Sequence, residues 1–166
     1  MKFYKVKTED DIKVLVDLAN EIWREFWKTI NSQEQIDYML ENFHSFPVIK
    51  EQILNEGYIY ILLKSNDKNI GYFGVVAKDE PLDHLFLSKL YIKYEYRGKG
   101  YGRIAFDEIK RIAQKSNLKR IRLTANKYNS NTLKVYKKWG FKIIDSCIFD
   151  IGGGFVMDDY VMEYTL

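Results

Sequence analysis

Cysteine is nearly missing from this chain of 166 residues. Cys147 stands alone, which excludes an internal disulfide framework. Histidine is almost as scarce: His44 and His84 are isolated, so no Cys/His spacing for zinc exists and no structural metal is expected. No uninterrupted apolar run approaches the ~20 residues of a membrane span. The opening Met1-Lys2-Phe3-Tyr4-Lys5-Val6-Lys7 lacks the apolar stretch of a signal peptide. Internal repeats, linkers and low-complexity tracts are absent as well. The length suffices for one domain with a full core and is short for two. These absences predict a single cytoplasmic domain over residues 1–166, with no membrane contact.

What is present is an uneven charge. Residues 93–142 hold 15 Lys+Arg and 3 Asp+Glu, while the rest of the chain holds 11 and 20, so that local balances of +12 and −9 return the net +3. Such asymmetry suits different partners on different faces. A polyanion favours the basic part and a cationic amine the acidic part. A nucleic acid would also favour the basic part, but no helix-turn-helix, RNA-binding aromatic signature or zinc finger accompanies it.

Taken in order, residues 2–6 read as a short strand. Thr8-Glu9-Asp10-Asp11 forms a capping box. The helix behind it places Ile12, Leu15, Val16, Ala19, Ile22, Trp23 and Phe26 on one face. A second box at Ser32 starts a helix with Ile36, Met39, Leu40 and Phe43 inward, and Pro47 opens a short helix through Glu56. Strands follow over 58–64 and 70–77, then a charged turn over 78–83, then a strand over 85–92. After a helix through Gln114, residues 120–125 alternate as a half-buried strand. Asn129 caps a helix to Trp139, with Gly140 behind it. Strands 141–149 and 155–164 close the chain, joined by a flexible glycine loop over 151–154.

Between the strand at 85–92 and the helix lies Arg97-Gly98-Lys99-Gly100-Tyr101-Gly102-Arg103. A strand, a glycine-rich loop and a helix start present backbone N–H groups and a positive helix end to a phosphate. The third glycine falls one position early for the dinucleotide fingerprint G-x-G-x-x-G, and no Walker run exists. The loop does match Arg-x-x-Gly-x-Gly.

That pattern resembles the pyrophosphate loop of the GNAT acyl-CoA-dependent N-acetyltransferases. A second motif, Asn129-x-x-Thr132-x-x-x-Tyr136-x-x-x-Gly140-Phe141, is similar to that family's Asn-x-x-Ala-x-x-x-Tyr-x-x-x-Gly-Phe, with Thr132 departing at the Ala position. The likeness extends over essentially the full length. The polar ending resembles small-amine members, the PaiA-type spermidine acetyltransferases among them. The resemblance implies an α/β fold: a mixed, mostly antiparallel central sheet of about seven strands with helices on both faces. It implies acetyl-CoA as co-substrate and a primary amine, on a small molecule or a peptide, as acceptor. Leu90, Tyr91 and Ile92 would line the pantetheine arm with backbone groups. Arg97, Gly98, Lys99, Gly100, Tyr101 and Gly102 would cradle the pyrophosphate. Asn129 would bond the pantetheine or nearby backbone, Lys138 would reach a phosphate, and Tyr136 would stand near the sulfur as the catalytic acid.

The chemistry agrees with these roles. An alkylamine with a pKa near ~10.4 is charged at neutral pH and must lose a proton. A backbone N–H at the end of the strand, that of Ile92, suits the developing oxyanion. Proton donation from a phenol to a thiolate is uphill by about 1.5 pKa units on unperturbed values. The proton acceptor stays open. Where many relatives place a glutamate, this chain has Ser88 beside Lys89, and the other candidates are Glu25, Asp83, His84 and Asp159. Glu21, Glu25, Asp158 and Asp159 offer negative charge to an ammonium, and Trp23, Phe26, Trp27 and Phe155 offer an apolar wall or core. The missing glutamate also motivates a non-catalytic acyl-CoA-binding regulatory module as the alternative. Terminal strands and an aromatic-rich ending suit a homodimer.

Overall fold

Thr8 opens the first helix as the capping box requires. Its hydroxyl accepts from the Asp11 N–H at 3.2 Å, and the Asp11 carboxylate accepts from the Thr8 N–H at 2.9 Å. In the computed structural model, which describes residues 1–77 and 83–166, this helix is α1 (Glu9–Phe26) and follows strand β1 (Lys2–Lys5). Leu18 joins its buried face, while Val16 is only partly covered. Ser32 caps α2 (Gln33–Phe43) by accepting from the Gln35 N–H. Pro47 sits in the first turn of α3 (Phe46–Leu54), which stops short of Glu56.

The strands are β2 (Ile59–Ser65), β3 (Lys68–Ala77) and β4 (His84–Ile92), then β5 (Arg120–Asn126), β6 (Lys142–Gly152) and β7 (Phe155–Thr165). Helix α4 (Tyr101–Lys115) links β4 to β5, and α5 (Ser130–Trp139) links β5 to β6. All seven strands form one sheet in the order β1-β2-β3-β4-β5-β7-β6. Every neighbouring pair is antiparallel except β4 with β5. The turn expected over 78–83 lies outside the described residues, apart from Asp83.

The glycine run near the end differs from expectation. Strands β6 and β7 continue through it to Gly152 and from Phe155, leaving only a two-residue turn. The Tyr38 hydroxyl of α2 donates to the Ile151 carbonyl at 2.8 Å and pins this end of the hairpin. Side chains from a distant element therefore set the conformation that local composition left open.

Each face of the sheet carries its own core. Phe106 and Ile109 of α4 and Leu133 of α5 pack with Phe73, Leu87 and Ile121 on one face. Leu15 and Ile22 of α1 and Ile49 of α3 pack with Leu62 and Tyr72 on the other, and Trp23 and Trp27 join α2 there. A mixed sheet with helices over both faces is the expected architecture.

Candidate active site

The opening in the sheet comes from β4. It pairs with β5 only at His84 with Arg120, Leu85 with Ile121 and Phe86 with Arg122. Beyond those rungs β5 stays with β7 and β4 stays with β3, so residues 87–92 carry one edge with no strand against it. A bulge adds to the effect. Gly74 pairs with Lys89 but Val75 pairs with Leu87, leaving Ser88 as the extra residue. Before it, Leu85 and Leu87 face α4. After it, Leu90 and Ile92 pack on that face, while Lys89 and Tyr91 turn to the α1 face. Just past the strand, the Lys93 N–H bonds the Ile70 carbonyl at 2.9 Å. Bonded and non-bonded pairs alternate along an antiparallel ladder, so the backbone groups of Ile92 and Leu90 point to the open edge. The N–H groups of Leu90 and Ile92 therefore both face that edge.

A single 3₁₀ turn, Tyr94–Tyr96, leads to the glycine loop. Gly100 is the N-cap of α4 at φ 84°, and Gly98 has φ 73°. No atom lies within 4 Å of where a Cβ would stand at either, so backbone conformation, not crowding inside the chain, requires glycine there. Among the described residues, the N–H groups of Gly98, Lys99, Gly100, Tyr101 and Gly102 meet no acceptor within the chain. They form the row of donors that a diphosphate needs. The N–H of Arg97 is not in that row, because the Tyr94 carbonyl takes it at 3.0 Å.

The Arg97 side chain also turns inward. Its Nε donates to the Ile92 carbonyl at 2.8 Å, its Nη2 donates to Glu25 of α1 at 2.8 Å, and its guanidinium lies over Phe26. It holds the end of β4 to α1. Lys99 is exposed near the Tyr96 ring. Tyr101 ties the start of α4 to the β2–β3 hairpin through Ser65 at 3.2 Å. Asn129 is buried and its Oδ1 accepts from the Thr132 N–H, which leaves its amide nitrogen for a ligand. Lys138 is exposed on the last turn of α5.

Tyr91 and Tyr136 approach the opening from opposite faces of the sheet. Tyr136 packs with the α4 core against Phe141 and Trp139. Tyr91 stands among Trp23, Phe26 and Tyr72, with ring centroids 5.4–5.9 Å away. Burial pushes the Tyr91 phenol up, and the nearby Tyr136 adds to that. Burial likewise raises the Tyr136 phenol, so its proton is held more firmly than unperturbed values imply.

Of the open candidates for proton acceptor, Glu25 is paired with Arg97. Asp83 lies at the far end of β4, bound to Arg120 at 3.2 Å and to His84 at 3.3 Å. Asp159 is different. It is 5% exposed and its Oδ1 has no hydrogen-bond partner. Burial raises its carboxyl, partly offset by the Thr124 hydroxyl. Lys89, which the sequence offers only as the neighbour of Ser88 and not as a natural proton acceptor, is 7% exposed. Its Nζ donates to the Tyr60 hydroxyl at 2.8 Å, and burial pushes its ammonium down to about 8. A lysine inside an apolar strand was the available signal.

A glycine-capped helix beneath a parted pair of parallel strands, with a phenol at the parting, defines an acyl-CoA-dependent N-acyltransferase. The known proteins agree. The acetyltransferase (GNAT) family matches residues 12–141. A spermidine N(1)-acetyltransferase of Thermoplasma acidophilum is 27% identical over 158 residues, covering 90% of this chain and 91% of that protein. In fold, the chain resembles the PaiA N-acetyltransferase of the same organism, solved in complex with coenzyme A. There the TM-score is 0.79 at 23% identity, and all of both chains is covered. A GCN5-related N-acetyltransferase of Rhodopseudomonas palustris gives a TM-score of 0.80 at 15% identity, with 99% of this chain and 95% of that one covered. The chain belongs to the GNAT acetyltransferase family. It is an acetyl-CoA-dependent N-acetyltransferase, with acetyl-CoA as co-substrate and an amine as acceptor. No helix among the described residues is long and apolar enough to cross a membrane.

Proposed function

We propose that this acetyltransferase acts on a small cationic alkylamine of the polyamine type. The observation that carries the reading is the opening between β4 and β5, where Tyr136 and Tyr91 come together from the two faces. The likeness to the Thermoplasma spermidine N(1)-acetyltransferase supports this acceptor class. In this reading the N–H groups of Gly98 to Gly102 hold the pyrophosphate and Lys138 adds a cation at the phosphates. The open edge takes the pantetheine through the Leu90 backbone, helped by the Asn129 amide; contrary to expectation the Tyr91 backbone faces β3 and the Ile92 carbonyl is held by Arg97. The Ile92 N–H stabilises the oxyanion of the tetrahedral intermediate. Tyr136 gives its proton to the departing sulfur. The raised phenol makes this donation harder on equilibrium values, so transfer belongs late, when charge has built up on sulfur.

Acetyl-CoA should raise the melting temperature, and a panel of alkylamines should release free thiol from it. Tyr136→Phe should lower kcat by about 100-fold or more, as loss of a general acid does, and leave the acetyl-CoA dissociation constant within about twofold. Equal loss of both would contradict the assigned role. Binding without turnover across the panel would favour a regulatory module.

The co-substrate and the single cysteine support a cytoplasmic location. The exposed Ile144, Ile148 and Phe149 on the outer strand β6 support a homodimer. A bulge leaves Ile144 out of the ladder with β7, and Ile148 and Phe149 follow it on the same outer strand, where a second copy would cover them.

A further inference from the structure

Asp159 sits on β7 opposite Asn126, at the end of β5 that borders the opening. Tyr160 and Met162 on the same strand pack into the α4 core, and Met157 packs against α2. Alternation along a strand therefore places Asp159 on the α1–α2 face, the side on which Tyr91 stands. The Asp159 charge reaches that phenol. Its neighbour Asp158 is paired with Lys127 at 2.5 Å, whereas the Asp159 Oδ1 is buried with no partner. Lys127 acts on the Asp159 charge but forms its ion pair with Asp158, and an ammonium brought by a ligand would offset the remaining cost of burying the Asp159 carboxylate. The Tyr91 ring on the same face suits a cation as well.

We propose that Asp159 is the group that receives the acceptor: its Oδ1 pairs with an alkylammonium entering beside Tyr91 and takes one proton from it. This rests on the transferase reading above. The neutral nitrogen then attacks the acetyl carbonyl. A C–N bond forms, the C–S bond breaks, and the electron pair leaves on sulfur. Sulfur takes the Tyr136 proton, the second proton of the amine nitrogen restores the phenol, and Asp159 passes its own proton to solvent. The balance is one ammonium and one thioester giving one amide, one thiol and one proton. Burial that raises the carboxyl makes Asp159 a better proton acceptor than an exposed aspartate. The site thereby selects a charged alkylamine over an amine that is already neutral.

The test uses the full chain and its Asp159→Asn and Asp159→Glu variants. The probes are 1,4-diaminobutane, charged at pH 7, and methoxyamine, neutral at pH 7. With diaminobutane, kcat/KM should fall by about 100-fold or more in Asp159→Asn, the usual range for a lost general base, and recover in part in Asp159→Glu. With methoxyamine the change should stay within about threefold, because no proton has to be taken. The melting shift with acetyl-CoA should be unchanged. Undiminished turnover of diaminobutane would overturn the assignment, and so would equal loss with both amines or loss of the acetyl-CoA shift.

Should the unaltered protein release no thiol with any amine, the transferase reading fails and the role of Asp159 is read separately. Calorimetric titration of diaminobutane into CoA-saturated protein should then show binding that weakens about tenfold or more in Asp159→Asn, as removing one partner of a buried charge pair does. Equal affinities, or no binding to the unaltered protein, would overturn it.

Discussion

Lys89 carries an energetic penalty that the rest of the chain must outweigh. Its ammonium has the Tyr60 hydroxyl at 2.8 Å and Ser88 Oγ at 3.4 Å as partners, and Tyr60 passes its own proton toward Gln52 Oε1 at 2.5 Å. Folded, Lys89 loses its proton near pH 8 instead of 10.5. Between those values the unfolded chain binds more protons, so unfolding becomes harder as pH rises through that window. The full cost is present below pH 8 and is on the order of 3 kcal/mol. Lys89→Met should therefore be more stable than the parent at pH 7, and the difference should shrink toward pH 10.5, which urea titrations across that range would show. His44 works on the acid side. It is buried against Trp23 with Nδ1 unpartnered, and burial, then the Lys89 charge, pushes its imidazole well down. The unfolded chain takes up a proton there below about 6.5 while the folded one resists, so stability should fall as pH drops below that value. Neither residue was legible as a buried group. The side to which Lys89 points depends on the bulge at Ser88, which exists only once β3 is paired. Tyr136 was legible, because the spacing of its motif is local.

Elements divide in the same way. The capping box of α1 and the buried faces of α1 and α2 follow from three- and four-residue steps, which a sequence displays directly, whereas at α2 only the Ser32 half of the expected box forms because the Gln35 amide turns to Met157. The glycine loop was also readable, and its N-terminal helix donors follow from its position alone. The inward turn of Arg97 was not, since Glu25 lies 72 residues away and only packing of α1 on β4 brings them together. Gly100→Ala should test the loop. At φ 84° with open space around it, alanine should cost about 1 kcal/mol from backbone conformation alone and weaken acetyl-CoA binding through the misplaced N–H groups. Gly71→Ala tests the strand. Its Cβ would meet the Tyr91 carbonyl oxygen well inside contact distance, so β4 would have to shift at the residues that edge the opening. A large drop in melting temperature with lost turnover is expected.

At the scale of the molecule, helices on both faces and strand number were foreseeable from the order of elements, but the length of the β4–β5 contact and the firm β6–β7 hairpin were not. The homodimer proposed through β6 predicts that Ile148→Lys, at a position 70% exposed, converts it to a monomer, a change that light scattering would resolve. The four strands before the parting and the three after it pair through only three parallel rungs. The two halves of the sheet thus pair along a short seam above a core they share, and in the proposed binding mode a thioester ligand seated beyond it would bridge them. Deuterium uptake at residues 88–92 should slow on acetyl-CoA binding, and the halves should then resist pulling apart as one body.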